Sequence, residues 1–277
     1  MTTPTLLADG FVFAEGPRWH EGRLWLSDMH GEAVYSISLE GKATLELSLP
    51  GQKPSGLGFL PSGSVLVVAM AERHILRLDH GGTTSMHADL SGLVSDELND
   101  MVVAEDGTAY VGSYPRERGT GVLVRVTPDG LPRIVADGLD FPNGTVISAD
   151  GRTLIVAESI GRQFTAFDID GAKNLSGRRV VATTGDAAPD GIALDSEGGI
   201  WAGYPLAHEF RRVLPGGEVT DRIPMGEKMA IACALGGEDR RTLFLLSALD
   251  WNAKTLEGKR TSTVETVRVG VAGAGLP

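Results

Sequence analysis

Residues 143–159 read NGTVISADGRTLIVAES. Asn143 and Gly144 open a short apolar run, an Asp-Gly turn follows, and a second apolar run ends at Ser159. An Asp-Gly pair between two such runs is hairpin chemistry, because glycine tolerates the positive φ that tight turns need. The unit recurs in both directions along the chain. Upstream it is Asn99-Asp100-Met101-Val102-Val103 before AEDGT, Ser55-Gly56-Leu57-Gly58-Phe59 before LPSGS, and Glu15-Gly16-Pro17-Arg18-Trp19 before HEGR. Downstream it is Asp190-Gly191-Ile192-Ala193-Leu194 before DSEGG, then a weaker Met229-Ala230-Ile231-Ala232-Cys233 before GGEDRR. The leading residues are spaced by 40, 44, 44, 47 and 39.

Third runs such as AVYSISLEG, HILRLDHGG and VLVRVTPDG follow the hairpins, and some copies add a fourth. Four short strands in each such period is the signature of a propeller blade. A sandwich has no reason to repeat one motif six times, and a solenoid usually has shorter rungs. The expected fold is therefore an all-β, six-bladed propeller with four-stranded antiparallel blades around a central metal-containing channel, one domain over residues 1–277. Thr5–Phe13 is expected to pair near Thr263–Val269 and close the ring. VSDELNDMVVAE is the best candidate for an amphipathic helix, with poor apolar spacing.

The 277 residues carry 37 Gly and 14 Pro without low-complexity stretches, which suits many strands joined by tight turns. A net charge of −11 repels phosphate backbones, so nucleic acid is not an expected partner. One cysteine, Cys233, excludes an internal disulfide framework and a Cys-based zinc cluster; it reads as a packed, inert thiol. There is no basic leader and no apolar run of membrane-spanning length, so the expectation is a soluble, cytoplasmic protein, monomer or dimer, without membrane partners. No G-x-S-x-G elbow, H-E-x-x-H or P-loop occurs.

In a propeller the first strand of each blade lines the channel, so the six leading residues form a ring: Glu15, Ser55, Asn99, Asn143, Asp190 and Met229. Two carboxylates and two carboxamides converging on one axis suit a hard divalent cation, and Ca²⁺ takes about 6–8 oxygens. No His or thiolate joins them, which speaks against a structural zinc site. Alternatively, the ring merely hydrates a channel mouth. The turns between second and third strands open on the same face; they supply Met29, His30, Tyr114, Arg116, Glu117, Arg118, Tyr204 and His208 as candidate wall residues.

These residues resemble the SMP-30/gluconolactonase/LRE family. FAEGPRW resembles its (G/A)E(G/S)P.W segment at Glu15, LND its x-N-D segment at Asn99, and PNG and PDG its remaining signature positions at Asn143 and Asp190. The resemblance spans essentially the whole chain. It implies one divalent metal held by Glu15, Asn143 and Asp190, Ca²⁺ foremost, with Zn²⁺, Mg²⁺, Mn²⁺ or Fe²⁺ also accommodated, and Asn99 touching metal-bound water or substrate. It implies a gluconolactonase-like hydrolase that opens a lactone by attack of metal-activated water, with Asp190 as the candidate base. Glu117, Tyr114, Arg116 and Glu97 are the expected substrate contacts. Members acting on sugar lactones usually carry Arg where this chain has Glu97, which argues for a less hydroxylated lactone. The alternatives are a diisopropyl-fluorophosphatase-like phosphotriesterase and a non-catalytic metal- or ligand-binding propeller.

Overall fold

The computed structural model describes residues 3–276. Six four-stranded antiparallel sheets stand in a ring, and in five of them the strands follow chain order from axis to rim. The innermost strands are Ala14–His20, Pro54–Phe59, Glu97–Val103, Pro142–Ile147, Ile192–Leu194 and Met229–Gly236, in blades one to six. The sixth blade is composite: Thr5–Phe11 pairs with Ser262–Arg268 as its outer edge, so the two ends of the chain close the ring as expected. Seen this way the DELNDMVV segment is an inner strand, its apolar residues buried on both faces between neighbouring blades. That explains why it carried no helical period.

Apolar clusters fill the seams between blades, so several inner strands are nearly continuous apolar runs, such as Val65–Ala69 and Met229–Gly236. Trp19 stacks on Phe244 across the seam of blades one and six, and Cys233 is buried in the fifth–sixth seam. Burial raises the pKa of that thiol well above the ordinary range and keeps it protonated.

Where the inner strands begin, their pairing breaks. Register shifts fall between Glu15 and Arg18, Pro54 and Leu57, Leu98 and Met101, Pro142 and Thr145, and Ala230 and Ala232. A bulge re-aims one side chain out of the pleat. Three of these shifts bracket Ser55, Asn99 and Asn143, and a fourth starts at Glu15; the fifth falls past Met229, and blade five, which carries Asp190, has none. In four blades the next residue is glycine, and there space is short: a Cβ on Gly144 would sit 2.6 Å from the Asp190 carbonyl oxygen, and one on Gly191 2.3 Å from Cβ of Ala232. No helix among the described residues is long and apolar enough to cross a membrane.

Candidate metal centre and its cavity

The bulges and the loops after the second strands enclose a cavity of about 1080 Å³ on one face of the ring. Glu15, Asn99, Asn143 and Asp190 line it together. Ser55 belongs to a small void just beneath, and Met229 is buried among Phe13, Ile231 and Leu256, so the ring has four polar members at the cavity and an apolar sixth position.

The orientation of each polar member is set by its neighbours. Asn143 donates through Nδ2 to Ser159 Oγ at 3.2 Å, and Ser159 Oγ donates to the Pro189 carbonyl at 2.7 Å. Asn99 donates through Nδ2 to the Pro142 carbonyl at 3.0 Å. Both amides therefore commit their N–H groups to protein, and among the described residues no hydrogen bond reaches their Oδ1 atoms. Glu15 Oε1 is buried without any hydrogen-bond partner. Burial pushes the Glu15 carboxyl up to about 8; the Ser55 hydroxyl opposes that shift and the Asp190 charge adds to it. Burial likewise pushes Asp190 up to about 7, with Asn143 and the Gly191 amide opposing.

An orphaned buried carboxylate oxygen, a second, half-buried carboxylate close enough to repel it, and two uncommitted amide oxygens are the donor chemistry of a hard cation. The residues fit a divalent ion. Three clustered His, Cys, Asp or Glu side chains do not occur among the described residues, because half of this donor set is amide.

Below the ring the channel is plugged. Arg18 is buried, donates to Asp100 Oδ1 at 2.5 Å, to the Leu57 carbonyl at 2.9 Å, to the Pro17 carbonyl at 2.8 Å and to the Met101 carbonyl. Asp100 holds the position after the ring residue, where four other copies have Gly; that departure was the one sequence signal for this pair. Other supports left no such signal. Asp28 accepts from the Val12, Phe13 and Gly31 amides and fixes the cavity edge at Phe13 and Met29. Glu158 accepts from the Asp140 amide at 2.6 Å and orders the approach to Asn143.

The wall residues sort cleanly. Tyr114, Arg116, Glu97, Met29 and His30 line the cavity. Tyr114 also sits edge-on to Phe141, with ring centroids 4.4 Å apart. Its pKa is raised by burial and by the charges of Asp190, Glu15 and Glu97, which puts its hydroxyl in the field of the ring. Glu117 is exposed and does not line the cavity; its neighbour Arg118 pairs with Asp140 outside. Tyr204 is fully buried in the seam behind the wall, with Arg211 over its ring at 4.6 Å, and His208 bonds the Lys228 carbonyl. Neither lines the cavity: a strand end and a left-handed His208 turn them away. Glu97 does not leave the wall without a cation, because Lys53 from blade two reaches it at 2.9 Å. Lys53 belongs to another repeat, which is why the sequence around Glu97 gave no hint of it.

The family model described as SMP-30/Gluconolactonase/LRE-like region matches residues 13–249. A 6-deoxy-6-sulfogluconolactonase of Pseudomonas putida is 26% identical over 86% of this chain and 84% of its own length. A pentonolactonase of Haloferax volcanii is 24% identical over 90% of this chain and 86% of its own. The solved structure of a calcium-binding protein, regucalcin, from Agrobacterium tumefaciens superposes with a TM-score of 0.79 at 22% identity, covering 98% of this chain and 97% of that one.

Proposed function

The chain belongs to the SMP-30/gluconolactonase/LRE-like family, and from that premise we propose that it is a lactonase, a hydrolase that opens a cyclic ester with the help of one divalent ion. The relatives named as lactonases support the reaction class. The observation that carries the metal is the polar ring itself, with its buried, unpartnered Glu15 oxygen. Glu15, Asn143 and Asp190 would hold the ion, and the name of the regucalcin relative favours Ca²⁺. When bound, such an ion supplies Lewis-acid polarisation of a carbonyl and acidifies water.

The chain's own residues do the rest. Asn99 Oδ1, left free by the bond from its Nδ2, is available to orient water or the substrate beside the ring. Ser159 pins Asn143, so the ligand oxygen does not rotate away. Asp190 is the candidate base, taking a proton from the attacking water as its oxygen bonds to the lactone carbonyl carbon. Cleavage of the ring C–O bond then passes that proton to the departing alkoxide. The product is a hydroxy acid whose ionisation releases one proton to solution. Tyr114, Arg116 and Glu97 are the substrate contacts we assign to the wall.

Acid release followed with a pH indicator tests this directly. Chelator-stripped protein should be inactive on a panel of sugar, aliphatic and aromatic lactones and regain turnover when refilled with a divalent ion. Asp190→Asn should lower kcat by about 10²–10⁴, the usual worth of a positioned base. No acid release with any ion, despite measured ion binding, overturns the proposal.

A further inference from the structure

Above the polar ring lies a second ring that no single motif announces. At the end of its second strand or in the loop that follows, each blade places a large side chain with an apolar face on the cavity: Met29, Met70, Tyr114, Ile160, Leu206 and Trp251. Met70 is buried, whereas Tyr114, Ile160, Leu206 and Trp251 are 42%, 39%, 68% and 52% exposed. Large apolar side chains left in water at a concave site are unusual and mark a surface that something covers. Their distribution is lopsided. The charged wall groups Lys53, Arg73, Glu97 and Arg116 come from blades two and three, and the exposed Ile160, Leu206 and Trp251 come from blades four to six. Lys53 and Glu97 already satisfy one another. A polyhydroxylated ring needs hydrogen-bond partners around its whole circumference, and beyond Asn143 and Asp190 of the ring itself, blades four to six add Ser159, whose hydroxyl is already bonded to Asn143 and the Pro189 carbonyl.

We infer that the substrate is an amphipathic lactone, its ester over the polar ring and a hydrophobic substituent lying on Ile160, Leu206 and Trp251. The inference rests on the lactonase reading. It commits the apolar wall to the substrate because that wall is continuous with the metal centre and shares its cavity. The cavity volume exceeds what one small ring fills, so room remains for an extended substituent.

The test is a series of γ-lactones with alkyl substituents of increasing length, measured beside gluconolactone on ion-loaded protein. Values of kcat/KM should rise about three- to fourfold per methylene until the wall is covered, the fold-change equivalent of transferring one CH₂ from water. The double variant Leu206→Ser, Trp251→Ser replaces two exposed side chains outside the core, and it should flatten that rise. Flat or falling values along the series, or a rise unaltered in the double variant, overturn the inference while leaving lactone hydrolysis standing. If no lactone is opened at all, binding of the matching γ-lactams decides it separately. Affinity that grows with chain length retains the apolar site and rejects only the hydrolysis; affinity that does not grow rejects the site.

Discussion

Glu15 and Asp190 illustrate how a residue's meaning depends on what surrounds it. Either carboxylate alone in a turn would be a solvated surface group. Brought under one roof, partly withdrawn from solvent and close together, each is pushed up, to about 8 for Glu15 and about 7 for Asp190. Both values lie above those of the unfolded chain, so folding favours the protonated forms. Stability is then fully present at acid pH, below the unfolded values, and is lost as pH rises through the folded ones. Chelated protein should therefore show a urea midpoint that falls between about pH 5 and 8, on the order of a few kcal/mol for the coupled pair. Saturating divalent ion should remove that fall and release protons on binding. A flat profile in chelator would mean that the two carboxyls are not buried together.

At the level of the strand, the register shifts next to Glu15, Ser55, Asn99 and Asn143 do the positioning. Each lets one side chain leave the alternation of its strand and face the axis, and beside Glu15, Ser55 and Asn143 the next residue is glycine. Gly144 shows the constraint most sharply, since its amide donates to the Asp190 carbonyl at 3.2 Å and its Cα faces that same backbone. Gly144→Ala should destabilise the fold by about 1–3 kcal/mol, the usual cost of overpacking, read as a lowered urea midpoint. Ion affinity should fall with it, because Asn143 and Asp190 are pushed apart. Wild-type affinity in a stable Gly144→Ala protein would show that the ring tolerates displacement.

Across the whole molecule, three devices hold the six blades in a closed circle. At the rim, Thr5–Phe11 pairs with Ser262–Arg268. On the axis, Arg18 of blade one ties to Leu57 of blade two and to Asp100 and Met101 of blade three. On the face opposite the cavity, the tail also joins blades, through Leu276 to Ile147 and Gly273 to Asp195. Arg18→Met leaves a buried carboxylate at Asp100 unpaired, and should cost about 3–5 kcal/mol. Adding Asp100→Leu should recover part of the loss, since the charge is then gone while the carbonyls bonded by Arg18 stay unsatisfied. No recovery in a chemical-denaturation comparison would mean the pair matters through shape alone.

The repeat of a leading residue, a small residue, an apolar run and a Gly-bearing turn was enough to read the blade, the number of blades and the strand pairing that closes them. It was enough because a propeller blade is local: its hairpins form between neighbours in sequence, so their turn chemistry is written consecutively. The candidate ring of Glu15, Asn99, Asn143 and Asp190 was legible for the same reason, each member holding the same place in its own copy. Contacts between copies were not legible. Lys53 meets Glu97, Arg18 meets Asp100, and Ile160, Leu206 and Trp251 share one wall only because closure brings separate blades together at the axis. Tyr204 and Glu117 show the other side of this limit, since a loop's last turn decides whether a side chain faces the cavity, the core or water. The sequence by itself thus determined the architecture and the level of the polar ring. Only the tertiary structure decided which side chains surround that ring, because burial and charge at the axis are set by six strands distant in the chain.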